Sequence, residues 1–168
     1  DIYPNYAISS SISEQTGATA LHEQGITGQG VGIAVLDSGI SAKFEKGGYL
    51  RLNSQGALRN IVKYDAIKGH MITDMDDDQN GHGSLIAGVI ASSLKNKKGM
   101  FNGIAPDVSL ISVRVIDDEG EGDYLDVIRG IGWVIQNKDV YNIRVVNLSF
   151  GAKALPRYWL DPLNQAVI

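Results

Sequence analysis

The chain has 168 residues, 43% of them hydrophobic and 20% charged, enough length and apolar content for one domain with a packed core. Its formal charge is -4, from 15 basic and 19 acidic residues, which gives no electrostatic reason to bind nucleic acid or an anionic membrane. It has no cysteine, excluding disulfides, thiolate catalysis and cysteine-based zinc sites, and no apolar run near the ~18 residues that span a bilayer.

The first residues, Asp1-Ile2-Tyr3-Pro4, lack the basic and apolar regions of a signal peptide, so any targeting segment would precede residue 1. A short apolar run over 31–36 follows a glycine-rich turn and reads as a buried strand, and 61–64 reads as a weaker one. Residues 84–94 read as a helix with Leu85, Ile86, Val89 and Ile90 on one face, and the β-branched run 108–116 as a strand. Apolar residues at 124, 128, 131 and 135 predict an amphipathic helix over 124–137. Residues 144–150 read as a further buried strand and 160–168 as the start of a helix.

Strands alternating with helices predict an α/β fold with a mostly parallel sheet, in which reactive groups gather beyond the carboxyl ends of the strands. Asp37 and Ser149 fall at such ends, and His82 opens a helix. A parallel sheet would place another strand after the helix at 160–168. Residues 1–168 therefore read as a fragment, or as one piece of a two-chain molecule.

Three segments carry chemistry: Val35-Leu36-Asp37-Ser38-Gly39-Ile40, Asn80-Gly81-His82-Gly83-Ser84-Leu85-Ile86-Ala87-Gly88 and Val146-Asn147-Leu148-Ser149-Phe150-Gly151. With Leu21-His22-Glu23-Gln24-Gly25, Thr27-Gly28-Gln29-Gly30 and Gly103-Ile104-Ala105-Pro106, and in this order, they resemble the subtilisin-like serine protease family over nearly the whole chain. The resemblance implies a three-layer subtilisin-like fold with a mostly parallel sheet, incomplete in this chain, and peptide-bond hydrolysis by an Asp-His-Ser triad; it makes residues 1–168 the N-terminal portion of the catalytic domain, with the C-terminal remainder of that domain as a partner. It makes Asp37 the orienting carboxylate and His82 the general acid/base. The chemistry suits these types: an imidazole with reference pKa about 6.5 can take and return a proton near neutral pH, and a carboxylate fixes its tautomer and stabilises the imidazolium. His22 and His70 lack such a context and read as structural or exposed.

The same resemblance implies that a peptide or protein substrate lies extended between two edges, Gly120-Glu121-Gly122 and Ser149-Phe150-Gly151, with Tyr124 and Val127 lining an apolar pocket. Asp117, Asp118, Glu119, Glu121, Asp123 and Asp126 surround the first edge. They read either as a solvated loop or as a bias towards basic residues on the N-terminal side of the cut. No cofactor is required for the chemistry. The family's calcium loop after the histidine helix is replaced by Leu94-Lys95-Asn96-Lys97-Lys98-Gly99-Met100-Phe101-Asn102, whose lysines oppose a cation while Asn96 and Asn102 retain ligand oxygens, so structural calcium stays open.

Three other motifs fail. Asp76-x-Asp78-x-Asn80-Gly81 opens like an EF-hand loop but has Ala87 at the twelfth position, so the acidic cluster Asp74, Asp76, Asp77 and Asp78 reads as a solvated loop. Gly28-x-Gly30-x-Gly32 precedes its strand, unlike a dinucleotide fingerprint. Asn147-Leu148-Ser149 matches a glycosylation sequon on an expected buried strand, a poor acceptor.

The family's nucleophile lies downstream of its histidine in a Gly-Thr-Ser-type segment, and no such segment stands in these residues. Gly39-Ile40-Ser41 is upstream of His82. The oxyanion-hole asparagine is likewise expected outside residues 1–168, so this stretch alone is expected to be inactive. The alternative readings are a pseudoprotease, or inactive fragment, that binds extended peptides, and a metal-binding domain built on the acidic cluster. The resemblance favours a secreted or cell-surface location over a cytoplasmic one.

Overall fold

The computed structural model describes residues 12–41, 50–73, 77–151 and 162–167. Among these residues five strands form, four of them on β-branched runs: β1 (Gly32–Asp37), β2 (Ile61–Asp65), the two-residue β3 (His70–Met71), β4 (Ser109–Arg114) and β5 (Ile143–Leu148). They lie side by side in the order β3-β2-β4-β1-β5. All pairings are parallel except the short antiparallel pairing of β2 with β3. Among the described residues the sheet is accompanied by helices α1 (Ile12–Gln15), α2 (Ala18–His22), α3 (His82–Ala91), α4 (Tyr124–Asn137) and α5 (Pro162–Ala166).

Successive strand residues point to opposite faces, and β1 uses both. Ile33 and Val35 enter a core with Val108, Leu110 and the α3 residues Ala87 and Ala91. Ala34 and Leu36 enter a second core with Ile111, Val113 and the α4 residues Val127, Ile131 and Val134. All six β1 residues are buried because helices cover the strand on both faces, the three-layer arrangement of a parallel sheet. On the α4 side Trp133 stacks on Tyr64 at 4.7 Å and 7°.

Both long helices differ in orientation from the sequence expectation. In α3 the buried face is Gly83, Ser84, Ala87 and Ala91, while Leu85 is 59% exposed. The helix approaches β1 closely and small residues permit that, while Ile86 and Ile90 pack at the margin of the contact, half-buried against the core. In α4 the buried stripe is Val127, Gly130, Ile131 and Val134, an i, i+3, i+4, i+7 pattern one step away from the expected face, with Ile135 exposed. Asp123 sets the start of α4 by accepting from the Leu125 amide at 2.7 Å, a side-chain N-cap. Strand β5 also differs. It lies at the sheet edge with Val145, Val146 and Leu148 exposed, so the sequon at Asn147 is not on a buried strand.

Buried Arg59 fastens the α3 side of the sheet. Its guanidinium donates to the carbonyl oxygens of Leu50, Leu52, Ala91, Pro106 and Val108 at 2.5–3.1 Å, joining the end of α3 to the approach to β4. Burial lowers its pKa to about 10 against the opposing charge of Asp107, which leaves it cationic at neutral pH. Replacing it strands several buried acceptors at once. Arg59→Met is expected to lower unfolding free energy by about 3–5 kcal/mol in urea titrations, and Arg59→Lys by less.

The approach of α3 to β1 depends on Gly83. A Cβ there would collide with the Gly39 carbonyl oxygen and lie 3.0 Å from the Gly39 nitrogen and 3.2 Å from the Asp37 Cβ. Gly88 on the same helix faces open space. Gly83→Ala is expected to destabilise by about 1–3 kcal/mol, as overpacking does. Gly88→Ala is expected to be neutral or to stabilise by up to about 1 kcal/mol through helix propensity. Thermal melts of the two variants side by side check both.

Candidate active site

Strand β1 delivers Asp37 to the carboxyl end of the sheet, where it is 1% exposed. Helix α3 begins at His82, and the close approach described above brings its imidazole to the carboxylate: Nδ1 lies 2.8 Å from Asp37 Oδ1. Oδ1 also accepts from the Ser38 amide at 2.8 Å. Asp37 Oδ2 is buried and has no hydrogen-bond partner among the described residues. The His82 side chain is 44% exposed, so the ring is anchored on one edge and open on the other.

An imidazole bonded to a carboxylate through Nδ1 carries its proton there when neutral and leaves Nε2 as the acceptor. The arrangement is that of an oriented general base. The other two histidines sit apart from it. His22 bonds the Ile104 carbonyl oxygen through Nε2 at 2.8 Å and packs edge-on against Phe101, while His70 is exposed on β3.

The two expected substrate edges meet around one pocket. Gly120, Gly122, Tyr124 and Val127 line it from one side and Phe150 and Gly151 from the other, with Ile116 and Leu163 completing the apolar wall. Gly120 holds a φ of 88°, and a Cβ on it would lie 3.0 Å from Asn80 Nδ2, which places this edge two residues from His82. Ser149 precedes Phe150 outside the pocket lining, its hydroxyl accepting from Asn147 Nδ2 at 2.8 Å. Glu121 faces a neighbouring acidic groove with Asp117, Asp123 and Asp126. Ser41, from the Gly-x-Ser upstream of His82, is 5% exposed.

Most acidic residues of that loop have structural partners. Asp117 Oδ1 accepts from the amides of Glu119 and Glu121, Asp118 pairs with Arg114 at 2.6 Å, Asp123 caps α4 and Asp126 pairs with Arg129 at 2.7 Å. Glu119 and Glu121 are exposed and, among the described residues, form no ion pair. The expected solvated acidic cluster before His82 divides differently. Asp74 and Asp76 lie outside the described residues, whereas Asp77 and Asp78 are buried at 6% and 5% exposure. Asp77 pairs with buried Lys63 at 2.8 Å, and the lysine also donates to the Ile40 carbonyl oxygen. Burial holds the Asp77 carboxyl above the usual aspartate range despite that lysine. A run of four acidic residues carries no periodicity that tells which ones turn inward, so these partners were not legible beforehand.

The loop that stands where relatives bind calcium does not fit that ion in its described residues. Asn96 Oδ1 already accepts from the amides of Lys98 and Met100 at 2.9 and 3.1 Å. Lys98 Nζ lies 3.1 Å from Glu14, and the Lys95 ammonium sits 4.7 Å above the Phe101 ring. Asn96 Oδ1 is thus already committed to the loop's own backbone, and two ammonium groups of the loop hold their partners nearby in place of a cation's oxygens.

Comparison with known proteins places the chain among characterised relatives. The chain is 38% identical to subtilisin E of Bacillus subtilis over 137 residues, covering 82% of this chain and 31% of that protein. It is 33% identical to the serine protease AprX of Bacillus subtilis over 177 aligned positions, covering 99% and 37%. It thus spans about a third of the length of these relatives. Among solved structures, a cold-adapted subtilisin-like serine proteinase matches with TM-score 0.57 at 28% identity, over 84% of this chain and 42% of the other. The Clostridium perfringens CspB protease shares the fold with TM-score 0.72 over 92% of this chain and 37% of the other, at 17% identity. The model of the subtilase family matches residues 28–167, and the chain belongs to that family.

Proposed function

We propose that this chain supplies the aspartate and histidine of a serine endopeptidase, completed by a nucleophilic serine on the remainder of the same catalytic domain. The hydrogen bond between His82 Nδ1 and Asp37 Oδ1 carries the proposal, because it fixes the tautomer that leaves Nε2 free. His82 Nε2 takes the serine proton as Oγ attacks the scissile carbonyl carbon. It then gives that proton to the departing amine nitrogen as the C–N bond breaks. Water deacylates the serine by the same proton transfers, while Asp37 stays ionised and stabilises the imidazolium.

The substrate is an extended peptide or protein segment held between Gly120–Gly122 and Ser149–Gly151. Backbone pairing supplies affinity and the pocket by Tyr124, Val127 and Phe150 supplies selectivity for an apolar side chain. Since four carboxylates of the acidic loop are already partnered, a strong preference for basic residues is not part of the proposal. No metal enters the chemistry. A location outside the cytoplasm is supported by similarity to a relative named as an extracellular protease, the Epr protein of Bacillus subtilis, at 32% identity. Among the described residues no helix is long and apolar enough to cross a membrane.

A fluorophosphonate, followed by intact and peptide mass analysis, is expected to label one serine outside residues 1–168. A protein that binds peptides but takes no label is a pseudoprotease instead. In the labelled protein, Asp37→Asn is expected to lower kcat by about 10⁴-fold, the scale set by other serine-protease triads. His82→Ala should lower it at least as far, with both variants retaining peptide binding by fluorescence anisotropy.

A further inference from the structure

The hydrogen bond between Asp37 and His82 joins the end of β1 to the first turn of α3, and a second carboxylate lies where they meet. Asp78 is 5% exposed and receives four hydrogen bonds. Its Oδ1 accepts from the Gly81 amide at 2.7 Å and from Ser38 Oγ at 2.8 Å. Its Oδ2 accepts from the Ser84 amide at 2.9 Å and from Ser84 Oγ. Every partner donates, which suits a carboxylate and not an amide.

The two hydroxyls give this centre its direction. Ser38 Oγ accepts from the Gly83 amide at 3.0 Å, so its own proton is available for Asp78, which lies nearer at 2.8 Å than Asp37 Oδ1 at 3.3 Å. Ser84 Oγ accepts from the Ser41 amide at 2.8 Å and passes its proton to the other oxygen of Asp78. The loop after β1 is thereby stapled to the first turn of α3 at two points, Ser38 to Gly83 and Ser41 to Ser84, with one carboxylate terminating both chains. Asp37 precedes the first staple on one side, and His82 precedes it on the other.

We propose that Asp78 is a positioning residue that sets the distance and angle between Asp37 and His82 by locking the β1 loop to the first turn of α3. It touches neither ring nor substrate and acts through Ser38, Gly83 and Ser84. The proposal rests on the catalytic reading of the pair for its kinetic consequence, while its structural content stands independently. An asparagine in its place would turn an amide N–H₂ towards a donor that now finds an acceptor, and the staple would open.

The test compares wild type, Asp78→Asn and Ser38→Ala in the intact protein. Turnover is normalised to the sites titrated by fluorophosphonate, so that loss of folded protein does not count as loss of kcat. Asp78→Asn is expected to lower kcat per titrated site by about 10²-fold, the cost of a displacement near 1 Å in a catalytic group, with KM changed less than about twofold. Ser38→Ala removes one staple, leaves the other bonds of Asp78 in place, and should produce a smaller drop in the same direction. The His82 Nδ1 proton, followed by NMR of histidine-labelled protein, should broaden or move upfield in both variants. Unchanged kcat per site together with an unchanged Nδ1 resonance in Ser38→Ala and Asp78→Asn would overturn the proposal. Should wild type take no label, the protease reading fails, and the resonance alone decides the positioning role. If Asp78→Asn does not fold, Ser38→Ala decides it by the same two readouts.

Discussion

An aspartate at the end of a central strand and a histidine on the first turn of a helix share a hydrogen bond only if two backbones come almost into contact. Everything else in the described structure is arranged around that closeness. The loop after β1 and the start of α3 leave no room for a Cβ on Gly83, and the rest of the α3 face towards the sheet is serine and alanine. Larger side chains would add apolar burial but would hold the helix off the strand and separate the pair. Here packing energy is traded for distance, because a 2.8 Å bond to a buried carboxylate is what orients the imidazole.

Such closeness leaves little space for water, so the polar groups in the contact must satisfy one another. Buried charges do this at three places. Asp78 gathers donors from the β1 loop and α3. Lys63, paired with Asp77, reaches the Ile40 carbonyl oxygen of the same loop. Arg59 gathers the carbonyl oxygens where α3 ends and β4 is approached. A buried ion pair contributes little net stability compared with apolar packing. These charges do fix which backbone groups meet, and that specificity is what a catalytic geometry requires.

The apolar pocket lies on the opposite side of β1. Because β5 is the edge strand in this part of the domain, the turn after it carries Phe150 and Gly151 to the pocket that α4 and the Gly120–Gly122 turn approach from the other side. The same placement leaves Val145, Val146 and Leu148 exposed along that edge.

The sequence by itself determined the order of β1, β2, α3, β4, α4, β5 and α5, the bounds of α4 at Tyr124–Asn137, and the segments that carry Asp37 and His82, whereas the short α1, α2 and β3 were not legible. Those features rest on local signals: β-branched runs, helical periodicity and ordered motifs. Helix facing was less legible. The periodic reading chose Leu85 and Ile135 for burial because they are large, whereas tertiary packing selected Ala87, Ala91 and Val134 because the helices lie close to the sheet. The inward turn of Asp77 and Asp78 and the five carbonyl bonds of Arg59 were not legible at all. Several of these contacts join residues 14 to 49 positions apart in the chain, as Lys63 to Asp77 and Arg59 to Val108 show. No local pattern encodes such partners, since whether a charge is solvated or buried is decided only when distant backbone segments enclose it.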